Sequence, residues 1–133
     1  EGEVVFTRDT HFENYADTQE GKKLPIPHCI KGTNGWQINS KLKNLIKPET
    51  KIFDKITFGS TELTEYLKNN KELEKVTLAG LCTDICIISN ALLIKANLPE
   101  VEIEVLENCC AGVTPESHIN ALNALKMCQI SVK

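Results

Sequence analysis

Aromatic residues are scarce, 5% of the 133 residues, with one Trp and two Tyr. Basic charge is not in excess either: 15 Lys and Arg stand against 18 Asp and Glu, for a formal net charge of −3. A nucleic-acid binder shows a basic face and stacking rings, and this chain offers neither. No apolar run approaches the ~20 residues needed to span a bilayer, so no membrane insertion is expected. Internal repeats and low-complexity linkers are lacking too, and the length fits a single domain over residues 1–133. There is no initiator Met: the chain opens Glu1-Gly2-Glu3 and enters the apolar Val4-Val5-Phe6-Thr7 at once. The expectation from this opening is a cut or processed chain.

What is present is ordinary globular composition, 41% hydrophobic and 25% charged. The six cysteines do not read as a secreted disulfide scaffold, because such scaffolds are loop-rich and this chain carries several regular elements. Cys82, Cys86 and Cys128 lie in or beside apolar segments, where a free thiol behaves as a small hydrophobe. Reduced thiols and a cytoplasmic setting are expected.

The apolar pattern predicts strands at Val4–Thr7, Thr50–Lys55, Val76–Gly80, Val101–Leu106 and Gln129–Val132. A polar stretch from Thr10 to about Gly35 holds Pro25 and Pro27, which block a helix. So long an irregular segment in a compact domain is usually functional. Ile38, Leu42 and Leu45 predict a short amphipathic helix from Trp36 to Ile46, stopped by Pro48. Ser60 or Thr61 caps a second helix. A third, from about Asp84 to Asn97, is apolar on nearly every side and is expected to be buried. Thr114 and Pro115 open the last, with Ile119, Leu122, Leu125 and Met127 as its core face. Strands alternating with helices predict a parallel sheet covered by helices, with ligands at the carboxyl ends of the strands. Those ends gather Asp9, Lys55, the Gly80–Cys86 turn and Asn108–Gly112.

Three constellations carry chemistry. If Thr83 caps the third helix, Cys86 falls in the first turn, where the dipole favours a thiolate and the amides can hold an oxyanion. On spacing alone, a buried core cysteine is the favoured reading. Lys55 ends a strand that needs no charge and could stabilise a thiolate or an oxyanion, or be an ordinary surface lysine. Asp9 and His11, two apart at a strand end, and His28 on the long loop could share one ion. A carboxylate with two imidazoles suits Zn, Fe or Mn, though solvated histidines satisfy the pattern too. Cys109, Cys110 and Cys128 read as structural, His118 as solvated, and Glu13, Asp17 and Glu20 as solubilising charges on the loop.

Together these pieces resemble the cysteine hydrolase superfamily of nicotinamidases and isochorismatases, in order and over essentially the whole chain. Gly80-Leu81-Cys82-Thr83-Asp84-Ile85-Cys86-Ile87 resembles the family's nucleophile turn. Asp9-Thr10-His11 and Pro27-His28-Cys29-Ile30-Lys31-Gly32-Thr33 resemble its metal-binding segments. Lys55 before Thr57-Phe58 resembles its catalytic lysine, and Cys110-Ala111-Gly112-Val113-Thr114-Pro115-Glu116 the approach to its last helix.

The resemblance implies a three-layer α/β/α fold with a mostly parallel sheet. Cys86 would be the nucleophile, Lys55 the catalytic lysine, and the amides of Cys82 and Cys86 the oxyanion hole, with a cis bond between Leu81 and Cys82. Asp9, His11 and His28 would hold a divalent metal ion, with Zn expected and Fe or Mn as alternatives. The implied reaction is hydrolysis of a small, nicotinamide-like amide to the acid and ammonia through a cysteine thioester. An isochorismatase-like hydrolase and a truncated, non-catalytic metal-binding or interaction module remain as alternatives.

Two departures stand out. The family's catalytic Asp ends a first, central strand to which no residue here maps. The expectation is an N-terminally truncated domain lacking ~45 residues, inactive alone, with exposed strand edges that favour a homo-oligomer. Leu24-Pro25-Ile26 also stands where nicotinamidases tend to place a Trp, so the acyl group is not assigned.

Overall fold

The computed structural model describes residues 2–133. They divide into two compact units, one ending at Thr57 and the other spanning residues 58–133.

In the first unit, strands β1 (Phe6–Asp9) and β2 (Ile52–Lys55) pair in parallel, with Asp9 opposite Lys55 at their carboxyl ends. Between them, the long polar segment is more ordered than the sequence suggests. A 3-10 turn at Tyr15–Asp17 leads into α1 (Gln19–Lys23), whose N-cap Thr18 accepts from the Gly21 amide. His11 bridges in parallel to Ile30, through His11 N–H to the Cys29 carbonyl (2.9 Å) and Lys31 N–H to the His11 carbonyl (2.8 Å). The helix expected from Trp36 to Ile46 is instead two 3-10 segments, Asn34–Trp36 and Ser40–Leu45. Leu42 and Leu45 stay 40% and 50% exposed. Without an apolar surface to pack on, amphipathic spacing does not sustain an α-helix.

The second unit holds the apolar core. Ser60 caps α2 (Thr61–Asn69) by accepting from the Leu63 amide, and β3 (Lys75–Leu81) follows. The chain then makes a wide π-type turn over Thr83–Ile87 before α3 (Ile88–Asn97). Strand β4 (Glu102–Ala111) runs five residues past its predicted end. The extension is paired: after an irregularity at Leu78/Gly80, Gly80 and Leu81 lie opposite Cys110 and Ala111. Helix α4 (Pro115–Met127) starts at the predicted Thr114 cap, with Pro115 in its first turn. A short β5 (Ser131–Val132) completes the parallel order β3-β4-β5.

Ile94, Val105, Leu122, Leu125 and Ile130 are buried at the centre of this unit. Two expected core residues are not: Ile119 is 53% and Met127 85% exposed, because α4 turns Ala121, Leu122 and Leu125 inward. Helix α3 is likewise not buried on every side, since Leu92 is exposed. Cys109 and Cys128, expected to be structural, are exposed as well.

Candidate active site and metal centre

In the first unit, polar side chains occupy the place where a core would lie. Thr10, His11 and Lys55 are buried, with Tyr15 the one large apolar side chain among them. Asp9 is shared. Its Oδ1 accepts from Lys55 Nζ at 3.3 Å, and its Oδ2 lies 3.2 Å from His11 Nε2 and 3.5 Å from His28 Nε2. Lys55 also donates to the Thr57 carbonyl at 3.1 Å.

A fourth group joins them that sequence reasoning set aside as a solubilising charge. Glu20 Oε1 lies 3.5 Å from each imidazole Nε2. Its position follows from Gly21. A Cβ at Gly21 would lie 2.0 Å from the Tyr15 carbonyl oxygen, so only glycine lets the first turn of α1 close against Tyr15 and carry Glu20 inward. The signal in the sequence was Thr18, a cap that starts a helical turn two residues before Glu20.

The two imidazoles are set by their surroundings. His28 Nδ1 lies 2.8 Å from the Ile26 carbonyl. Because a carbonyl only accepts, Nδ1 carries a proton, and Nε2 faces the carboxylates. The His11, His28 and Tyr15 rings meet edge to face, with centroids 4.7–5.2 Å apart. The Tyr15 hydroxyl donates to the Leu24 carbonyl at 2.8 Å. Burial first, then the Glu20 and Asp9 carboxylates, push its pKa up. On the other side, Trp36 Nε1 donates to Thr10 Oγ1 at 2.9 Å. The Arg8 guanidinium stacks 3.5 Å from the Trp36 ring centroid, and its Nε pairs with Asp54 at 2.8 Å. Thr10, between Asp9 and His11, is thereby pinned.

The cluster fits a divalent cation. His11 Nε2 is buried without a hydrogen-bond partner, a costly state for a ring nitrogen unless it ligates. Ligand atoms of Asp9, His11, Glu20 and His28 all lie within 4.8 Å of one another, and the four His–carboxylate separations are 3.2–3.5 Å. Bonds of ~2.0–2.2 Å in a tetrahedral shell put neighbouring ligand atoms about 3.3–3.6 Å apart. Two carboxylates whose oxygens lie within 4.8 Å of each other also favour positive charge between them.

The second unit carries the cysteine turn. The Leu81–Cys82 bond is cis, as the resemblance implied, and Gly80 before it has φ +130°. Cys82 is the extended N-cap residue of the wide turn, and its carbonyl accepts from Ile87 N–H at 3.0 Å. Cys86 is half-buried within that turn. Burial, followed by the Asp84 and Cys86 charges, pushes the Cys82 thiol up, which keeps it protonated at neutral pH.

Thr83 does not cap the turn. It is fully buried, and its Oγ1 lies 2.7 Å from His118 Nδ1 on α4. His118, expected to be solvated, is thus tied to the turn. The approach is close: a Cβ on Gly112 would come within 2.9 Å of the His118 backbone. Asp84 reaches the same junction, accepting from Val113 N–H at 3.1 Å. Its desolvation is outweighed by hydrogen bonds from the Ser117 side chain and the Val113 amide, which hold its pKa below the usual range.

With this geometry in place, the comparisons define the class. An isochorismatase-domain profile matches residues 1–132, and the chain belongs to that family. A Bacillus subtilis (strain 168) relative, the uncharacterized isochorismatase family protein PncA, is 31% identical over 128 residues, covering 90% of this chain and 68% of that protein. The crystal structure of nicotinamidase/pyrazinamidase PncA from Bacillus subtilis superposes with a TM-score of 0.82 at 27% identity, over 98% of this chain and 74% of that one. The pyrazinamidase of Pyrococcus horikoshii, solved in complex with zinc, shares the fold at a TM-score of 0.79 and 23% identity, over 99% and 75%. The fold is therefore the mixed α/β, parallel-sheet fold of isochorismatase-like hydrolases.

Proposed function

We propose that this chain carries the site of a cysteine amidohydrolase that converts a small, nicotinamide-like amide to its acid and ammonia. The observation that carries this reading is the placement of Cys86. It sits in the wide turn where β3 hands over to α3, on a chain of the isochorismatase family whose fold is that of nicotinamidases. In the proposed reaction the Cys86 thiolate adds to the amide carbonyl carbon. The oxyanion is assigned to the amides of Cys82 and Cys86. The carbon–nitrogen bond breaks, ammonia leaves on protonation, and water cleaves the thioester to free the acid and the thiol. Lys55 takes the part of the catalytic lysine, held within its own unit by Asp9 and Thr57.

Asp9, His11 and His28, with Glu20 added by the structure, would hold a divalent ion. It would supply Lewis acidity toward a ring nitrogen of the substrate or a water beside it. Zinc fits a two-imidazole, two-carboxylate donor set, and Fe or Mn fits it too. No described helix is long and apolar enough to cross a membrane. A cytoplasmic homo-oligomer without nucleic-acid partners is the accompanying proposal, read by light scattering and cell fractionation.

The deciding experiment offers nicotinamide and a panel of small amides and follows ammonia, while acid-quenched samples are mapped for an acyl group on the Cys86 peptide. With the family's acid-bearing N-terminal segment supplied, ammonia release that needs Cys86, with the acyl adduct on that peptide, is the expected result, and the 133 residues alone are expected to be inactive. Turnover that survives Cys86→Ala rejects the mechanism.

A further inference from the structure

Helix α3 contains a residue that neither helix propensity nor core packing explains. Asn90 is 5% exposed, in the first turn after the π-type segment. Asparagine is a poor helix former because its amide competes for the backbone, and burying that amide is costly unless it is satisfied.

Here every part of the amide is used. Nδ2 donates to the Cys86 carbonyl at 2.8 Å and to the Phe58 carbonyl at 3.1 Å, and Oδ1 accepts from Ser60 N–H at 2.9 Å. Ser60 is itself a node: its Oγ caps α2 through Leu63 N–H, and its carbonyl accepts from Thr64 Oγ1. One carboxamide therefore joins the turn that carries Cys86 to the chain that enters α2. Next to it, Ser89 Oγ donates to the Ile85 carbonyl at 2.6 Å. Two successive side chains thus serve two successive carbonyls of the wide turn, whose i→i+5 pattern departs from the α-helical ladder.

We propose that Asn90 is the positioning residue of Cys86, fixing the Cys86 backbone against the Phe58–Ser60 segment. This rests on the reading of Cys86 as the nucleophile. Asn90 reaches the backbone of Cys86 and acts only through it. A purely structural asparagine would change how much protein is folded. A positioning one changes how Cys86 reacts in protein that is folded.

The test compares iodoacetamide alkylation of Cys86 with that of exposed Cys109 in the same folded sample, by peptide mapping. It is run on the wild type, Asn90→Ala and Asn90→Ser, with melting curves and hydrogen exchange of the Ser60 amide recorded in parallel. In the wild type, Cys86 should react faster than Cys109. In Asn90→Ala the Cys86/Cys109 ratio should fall about fivefold or more, since small displacements of a reacting group are costly, and the Ser60 amide should exchange faster. Asn90→Ser should recover part of the ratio, because its hydroxyl can donate to the i−4 carbonyl, while the Ser60 amide stays unprotected.

A wild-type ratio well above one that neither variant moves overturns the role of Asn90 and leaves Cys86 as nucleophile. A wild-type ratio at or below one overturns the nucleophile reading and this proposal with it. If Asn90→Ala does not fold, Asn90→Ser is read alone. A lowered ratio with a faster-exchanging Ser60 supports the proposal, and an unchanged ratio rejects it.

Discussion

The two units solve the same task, holding reactive side chains at the ends of parallel strands, with opposite materials. In residues 58–133, eleven buried apolar side chains, Leu63 to Ile130, form a core, and the cysteine turn is a backbone feature built on top of it. In the first unit Tyr15 is the one buried hydrophobic among the described residues, and its company is Thr10, His11 and Lys55. Its interior is the candidate metal centre. A region that buries imidazoles and carboxylates instead of leucines gains little from the hydrophobic effect. It depends on pairing those groups, which a cation between them would do. On that reading the cysteine turn would tolerate loss of an ion that the first unit would not.

The widest gap between the units should appear on truncating a leucine in each. Leu125→Ala, in the centre of the second unit and fully buried, should cost ~2–5 kcal/mol in a denaturant titration. Leu45→Ala, at a site 50% exposed, should cost about 1 kcal/mol or less. Equal costs would break the contrast.

Next in size is the response to divalent ions. His11→Ala should weaken zinc binding at least ~100-fold in competition with a chelating dye, more than loss of an outer-sphere partner usually does. Glu20→Gln should weaken it about tenfold. Cys86→Ala should leave binding unchanged. Zinc affinity indifferent to His11 would remove the metal centre from the account.

A smaller effect concerns acid. The Asp84 pKa is held below its ordinary value. Its stabilising share is therefore present above the usual aspartate pKa of ~3.9 and disappears as the pH falls through the lowered folded value. Asp84→Asn should melt below the wild type at pH 7, and the two curves should converge as the pH falls below the usual aspartate pKa of ~3.9. A gap that persists at low pH would show that the carboxylate charge is not what matters. Least of all, Glu65→Ala should change stability by ~0.5 kcal/mol or less. Its pair with Lys68 is 3.2 Å apart with both side chains exposed, and such pairs contribute little.

What was legible in the sequence was whatever is enforced locally. Thr114 and Pro115 mark a helix start by their own chemistry, and Ser60 does so as a cap. Asp9 and Lys55 fall at strand ends because the apolar pattern stops there. Asp9, His11 and His28 were grouped by their spacing at a strand end and on the long loop, and the structure brings their side chains together. Glu20 was missed because its inward turn depends on Gly21 fitting against the Tyr15 carbonyl, a contact no spacing rule encodes. Thr83 looked like a cap because nothing local announces that His118, on another helix, claims its hydroxyl. Leu42, Leu45, Ile119 and Met127 were assigned to apolar faces by periodicity. Periodicity shows which residues share a face, and only the surroundings decide whether that face is covered.

The pair of backbone hydrogen bonds flanking His11 has a further consequence, in chain entropy. By tying His11 to Cys29 and Lys31, they close the long loop that separates the two imidazoles. Bringing such distant ends together carries a configurational cost that grows with loop length. Here folding has already met that cost before any ligand arrives. Capture of an ion then orders little additional chain, so its affinity reflects the donor atoms rather than the work of gathering them. A substitution that loosened the Cys29–Lys31 segment, far from removing a ligand, would return that cost to the binding step and weaken every candidate ion alike.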